Sequence, residues 1–175
     1  MIEYFLILPH QLFDKKYLSK KYHYILYEHP HYFNSFNYNK KKLLLHYGSM
    51  KYYYEYLKTN NFKVKYINKD EKFNIDKYKL FDPIDKIELK NDYEKVDSPN
   101  FLLSKELVEK YRKKTKSFYF HYFYEWSKKE LNIIPTIKSK DKENRLSLPV
   151  DIKIPNLPKN NSDKKYIDYG KNKVE

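Results

Sequence analysis

Two runs near the start of the chain are almost wholly apolar or aromatic: Glu3 to Leu8, closed by Pro9, and Tyr22 to Tyr27, closed by Glu28-His29-Pro30. Neither alternates with charge, which is the pattern of strands covered on both faces in a parallel sheet. Asp14 to Lys21 leaves room between them for only a short helix or turn. From Asn39 to Asn60 the period changes. Leu43, Tyr47, Met50, Tyr54 and Leu57 recur at alternating spacings of four and three, and Leu44 and Tyr53 widen the stripe, which predicts an amphipathic helix. Thr59-Asn60-Asn61 ends it, and Phe62 to Ile67 then alternates with Lys63 and Lys65 as a third, more exposed strand would. Strand, strand, helix, strand is a βαβ unit, with a right-handed crossover expected.

Asn68 to Asp92 is charged and poorly patterned, includes Phe81-Asp82-Pro83-Ile84-Asp85, and reads as mostly irregular. A short strand is expected near Tyr93 to Val96, before Asp97-Ser98-Pro99-Asn100 turns the chain. Ser104 is placed to cap a helix carrying Leu107, Val108 and Tyr111, with Glu106 in its first turn. A second helix, about Ser117 to Asn132, bears Phe118, Tyr119, Phe120, Tyr122, Phe123, Tyr124 and Trp126 almost all round. A helix with no polar face is normally buried, so a partner must cover whatever this small domain does not. Beyond Ile134, Pro135, Pro149, Pro155 and Pro158 scatter among Lys, Asn, Asp and Ser. Such a stretch buries too little apolar area to offset ~1–2 kcal/mol of ordering per residue. Residues 1–134 therefore read as one α/β domain and 135–175 as a largely irregular linker or tail, draped over the domain around Arg145 to Pro149.

A length of 175 residues suits one core. The absence of cysteine excludes disulfides, thiolate nucleophiles and Cys-ligated metal within these residues. The longest uncharged stretch, His29 to Asn39, is rich in Asn and His and far from the ~18 apolar residues of a membrane span. No secretory signal opens the chain, so an intracellular protein, cytoplasmic or nuclear, is expected. The net charge of +13 comes from 36 basic against 23 acidic residues. Only Arg112 and Arg145 are arginines, alanine is missing and glycine occurs twice, the signature of an AT-rich coding sequence. Charge is therefore weak evidence of purpose, although its field attracts polyanions at low salt. The 21 Tyr and 11 Phe supply core volume, and they are also residues on which nucleobases stack. One alternative is accordingly a lysine-rich nucleic-acid-binding α/β module, using Lys40, Lys41, Lys42 and Lys51 on DNA or another single strand.

No GxGxxG, Walker, HExxH or GxSxG motif occurs. His10, His23, His29, His31, His46 and His121 are scattered, which does not favour a metal site, and Asp82 and Asp85 read as turn residues. An enzyme using the strand ends ranks last, because no nucleophile and base pair is identifiable. One location does stand out, since ligands of open parallel sheets lie beyond the carboxyl ends of the strands. Those ends are Pro9-His10-Gln11-Leu12 and Glu28-His29-Pro30, with the helix start at Asn39 to Lys42 nearby. His10, Gln11 and Glu28 offer hydrogen bonds there, and Tyr47 or Met50 an apolar wall for a planar heterocycle.

Several segments carry a family resemblance: Leu8-Pro9-His10-Gln11-Leu12-Phe13, Tyr27-Glu28, Asn39 to Lys51, Ser98 to Leu103, Phe123-Tyr124-Glu125-Trp126, and Asp141 to Arg145 with Pro149. In this order the chain resembles, over about residues 1 to 150, the N-terminal region of the deoxyribodipyrimidine photolyase-related proteins, the iron–sulfur bacterial cryptochromes and photolyases. The resemblance implies a Rossmann-like or flavodoxin-like parallel sheet flanked by helices, an antenna-type domain able to bind a lumazine chromophore. In the family this is followed by a larger helical domain holding FAD and a Cys-ligated 4Fe–4S cluster, which repairs pyrimidine (6-4) photoproducts in DNA with light. It also implies that this chain, stopping before the helical domain, is not catalytic alone; the aromatic helix Phe118–Trp126 is then the expected contact with that domain, supplied as a separate C-terminal chain. The implied chromophore residues are Gln11, Leu12, Glu28, Lys42 and Met50, together with His10, which stands where the family often has Asp. Asn39 stands where the family has His.

Overall fold

The computed structural model describes residues 2–83, 85–133 and 164–174. The expected draping of Arg145 to Pro149 lies outside them. The chain divides into two compact units, one formed by Met1–Phe101 with Asn160–Glu175 and the other by Leu102–Lys159.

The first unit is built on five strands, β1 (Tyr4–Ile7), β2 (His23–Tyr27), β3 (Lys63–Ile67), β4 (Lys77–Phe81) and β5 (Asp92–Val96). All are parallel, in the order β3-β2-β1-β4-β5. The two runs with no charge alternation become the inner strands β1 and β2, where Leu6, Ile7, Ile25 and Leu26 are buried. The outer strands β3 and β5 carry lysine and acid residues, which discourage further strand pairing at sheet edges. Helix α1 (Lys40–Thr59) links β2 to β3 as the periodicity predicts. It turns Tyr47, Met50, Tyr53 and Leu57 into the core. Its C-terminus closes with Phe62 N–H donating to the Leu57 carbonyl and Asn61 N–H to that of Lys58, and Asn61 is left-handed at φ 59°. This is a Schellman closure with asparagine in the position usually held by glycine.

The α/β expectation holds, and Asn68 to Asp92 is mostly irregular as expected, but it also contains an unexpected strand, β4, which lies beside β1. Lys77 and Lys79 disguise it, because they interrupt the apolar run of Tyr78, Leu80 and Phe81. Both lysines are answered by the neighbouring strand, Lys79 by Glu94 at 2.9 Å and Lys77 by Asp92 at 3.5 Å. The charged residues of β4 thus have cross-strand partners that no single-strand pattern displays.

Within the stretch read as tail, Lys164–Val174 forms a helix, α4, that packs on α1. Lys165 Nζ lies 2.7 Å from Glu55, whose carboxylate also accepts from the Tyr166 hydroxyl at 3.0 Å. Both glycines of the chain sit at this crossing. A Cβ on Gly48 would fall 2.8 Å from the Tyr166 carbonyl oxygen, and one on Gly170 would fall 2.6 Å from that of Leu44. Neither glycine has a positive φ, so the requirement is close backbone approach rather than an unusual conformation.

In the second unit, Ser104 caps α2 (Lys105–Lys114) by accepting from Leu107 N–H at 3.2 Å. Helix α3 (Phe120–Glu130) follows. Tyr111 is buried, with ring centroids of Phe118, Phe123 and Trp126 within 5.1–5.6 Å. The aromatic girdle of α3 is therefore divided: Phe123 and Trp126 pack on Tyr111, whereas Phe120 and Tyr122 are 76% and 65% exposed.

Alanine at Gly48 or Gly170 would gain about 1 kcal/mol of helix propensity but must open the α1–α4 crossing, an overpacking cost of about 1–3 kcal/mol. We expect both Gly48→Ala and Gly170→Ala to lower stability in urea denaturation. A gain of about 1 kcal/mol would contradict the close approach.

Candidate functional site

The sheet reverses its build direction at β1: β2 and β3 extend to one side, β4 and β5 to the other. Connections leaving β1 and β4 diverge, opening a crevice past their carboxyl ends where ligands of this class of sheet bind. Gln11 stitches the base of that crevice. Its Nε2 donates to the Phe81 carbonyl at 2.8 Å, at the end of β4, and its Oε1 accepts from Leu8 N–H at 3.4 Å. The residue is 1% exposed, so its amide is committed to joining the two strand ends.

Beside this stitch, both ring nitrogens of His10 are buried without a hydrogen-bond partner among the described residues. The ring lies 5.1 Å from that of Tyr32, whose buried hydroxyl faces Asp85. His46, from α1, faces Tyr32 at 6.4 Å. Burial holds the His10 imidazole below the ordinary histidine range, against the opposing pull of Asp85. Burial also lowers His46, helped by Lys42 and then His10, and it raises the Tyr32 phenol, assisted by Asp85. Two neutral imidazoles and a neutral phenol thus share the crevice, with Asp85 at its side.

Glu28 ends β2 in a separate cluster. It is 1% exposed; Oε1 accepts from the Tyr66 hydroxyl at 2.7 Å and Oε2 from Lys69 N–H at 3.2 Å. Burial and then Glu28 push the Tyr66 phenol far up, and the same causes push Tyr47 up to about 12 and raise Tyr169 of α4. A buried carboxylate is costly unless its lone pairs are satisfied; here two donors and a surround of phenols hold it.

Of the sequence-derived candidates, His10 and Gln11 share the crevice, with Lys42 close enough to act on His46. Gln11 and Glu28 have their polar atoms taken by the protein itself. Met50 is fully buried, its sulfur 4.0 Å from the Tyr66 hydroxyl, and the half-buried Leu12 packs against the core. Lys42 Nζ sits 4.3 Å from the Tyr38 ring. Lys40 and Lys41 are exposed in the first turn of α1, whereas Lys51 pairs with Glu55 at 3.6 Å and lies over the rings of Tyr54 and Tyr169. Sequence reasoning missed Tyr32, Tyr66 and Tyr169, and it read Asp85 only as a turn residue. Recognising β4 would have located Asp85, which follows the second strand end of the crevice. Among the described residues no cluster of three metal-ligating side chains occurs, and no helix is long and apolar enough to cross a membrane.

Together, fold and crevice define a parallel α/β domain with an open crevice at its topological switch point. The family model described as deoxyribodipyrimidine photo-lyase-related protein matches residues 5–87 and 73–172. The chain belongs to that family. No curated protein matches it.

A histidine whose folded pKa lies below its unfolded value of about 6.5 binds fewer protons when folded. Its contribution is fully present above that pH and is lost as pH falls toward the folded pKa. His10, His29 and His46 all shift this way, burial being the first cause in each. Thermal melts should therefore show the midpoint falling from about pH 7.5 to 5.5, and His10→Phe should make that fall shallower. An unchanged slope would contradict the buried neutral imidazole.

Proposed function

We propose that this chain is the antenna-type α/β domain of a photolyase-related protein and is not catalytic alone. The observation that carries this reading is the switch-point crevice, where both ring nitrogens of His10 are buried with no hydrogen-bond partner among the described residues, beside the Tyr32 ring. Such atoms cost free energy until something pairs with them. A planar heterocycle with ring carbonyls and N–H groups would satisfy them, as a lumazine does. His10, Tyr32 and His46 would contact the ring, while Gln11 supports the base of the crevice from within. The chromophore would supply light absorption and energy transfer; these residues would bind it, orient it and keep water from it.

Cys-ligated 4Fe–4S chemistry needs thiolates that this sequence lacks. The cluster and the FAD would therefore belong to the family's helical half, on the same or a second polypeptide. The exposed rings of Phe120 and Tyr122 on α3 form the kind of apolar patch that such a partner covers. Contact with DNA lesions would fall to that half.

The test is titration with a ribityl-lumazine, followed by absorbance and fluorescence. We expect saturable binding, with His10→Ala and Tyr32→Phe each weakening it about tenfold, the loss that accompanies an unpaired buried donor or acceptor. No spectral change would remove the antenna reading. Light-driven repair of a (6-4)-containing oligonucleotide by this chain alone would remove the non-catalytic one.

A further inference from the structure

The face of the sheet opposite α1 is crossed by coil. Register places Leu6, Ile25, Tyr27, Ile67, Tyr78, Leu80 and Tyr93 on one face. Tyr66 lies on the other, where it meets Tyr54 of α1 edge-on at 5.8 Å. The β3–β4 connection, residues 68–76, runs over the first of these faces: Phe73 stacks on Tyr27 at 4.9 Å and meets Tyr78 edge-on at 5.3 Å. The β4–β5 connection occupies only residues 82–91. A parallel crossover normally takes a dozen or more residues, most often with a helix. A coil is thinner than the ~10 Å diameter of a helix, and it leaves a cavity of about 910 Å³ beneath it.

The chemistry of that cavity is selective. Tyr27, Phe73, Tyr78 and Tyr93 give it aromatic walls, and Lys86 and Lys90 stand on its rim. Tyr78 and Tyr93 are themselves stacked, with centroids 6.0 Å apart. Glu88 also lines the space, so two lysines stand against one glutamate. The covering loop is pinned: His29 Nε2 lies 2.9 Å from the Glu88 carbonyl, the Tyr78 hydroxyl donates to the Lys90 carbonyl at 2.8 Å, and Asn91 Nδ2 donates to the Ile75 carbonyl at 2.8 Å. A pre-formed, aromatic-walled space of this size falls within the range of small-molecule sites.

We propose that this groove binds a small planar aromatic anion of the mononucleotide class, its ring among Tyr27, Phe73 and Tyr93 and its phosphate on Lys86 and Lys90. The aromatic walls supply stacking area, and the lysines supply point charges that suit a phosphate. The site lies on the sheet face and borders the switch-point crevice across the turn at Pro30–Tyr32, whose His31 lines the groove, but the side chains proposed to hold ring and phosphate are not those of the crevice.

Flavin mononucleotide and riboflavin serve as paired probes, identical except for the phosphate, and their fluorescence is quenched on stacking against tyrosine. The full chain should bind the mononucleotide about tenfold more tightly than riboflavin, equivalent to about 1.4 kcal/mol. Tyr93→Ala should weaken both probes, whereas Lys90→Glu should abolish the preference for the phosphate. Both side chains are exposed, so these variants retain the core, and Tyr17→Ala, at an exposed tyrosine outside the groove, should change neither affinity. Equal affinity for the two probes, insensitivity to both groove variants, or an equal loss in Tyr17→Ala would overturn the proposal. Tighter binding of an oligothymidylate than of flavin mononucleotide would assign the groove to nucleic acid and overturn it as well.

Discussion

The reversal of the sheet at β1 is the constraint on which the rest of the structure depends. Strands added on opposite sides of β1 must be reached by connections that part company, and the space between them has to be closed from below without being filled. Gln11 does this with one side chain, taking the Phe81 carbonyl on one strand end and the Leu8 amide on the other. Replacing it with a residue unable to pair would leave a buried carbonyl unsatisfied, at about 1–3 kcal/mol. The crevice above that stitch owes its shape to a hydrogen bond in the body of the domain.

The same economy of partners appears around Glu28 and at the α1–α4 crossing. Tyr66 and the Lys69 amide hold the carboxylate, and Tyr169 arrives from α4. That approach requires α4 to lie close on α1, which both glycines of the chain make feasible. Positions needing a left-handed backbone fall instead to Asn61, Asn91 and Asn132. Glycine is reserved for closeness, and asparagine takes the turns.

Much of this was legible in the sequence. Buried parallel strands announce themselves as unbroken apolar runs, as β1 and β2 did, and the four-three spacing gave α1 nearly to its ends. Its terminating asparagines and the Ser104 cap were equally readable, because those signals are local. What was hidden depends on partners remote in sequence. β4 looks too charged to be an inner strand until Asp92 and Glu94 are seen beside Lys77 and Lys79. α4 looks too polar and isolated to be ordered until Gly48 provides room for Tyr166. In the site, residue type suggested His10, Gln11 and Glu28 alike as hydrogen-bonding groups; the fold occupies the polar atoms of Gln11 and Glu28 and leaves the ring nitrogens of His10 open among the described residues. No spacing rule distinguishes a used hydrogen-bonding group from a free one.

The central claim is that the crevice beyond β1 and β4 receives a ligand on His10 and Tyr32 while Gln11 remains an internal tie. Nuclear magnetic resonance of the labelled chain during addition of a ribityl-lumazine tests it most directly. The account requires perturbations centred on His10, Tyr32, His46 and Asp85, with the Gln11 side-chain amide protected from exchange before and after addition. Perturbations centred on Glu28 and β3, or a Gln11 amide that exchanges freely with solvent, would contradict it.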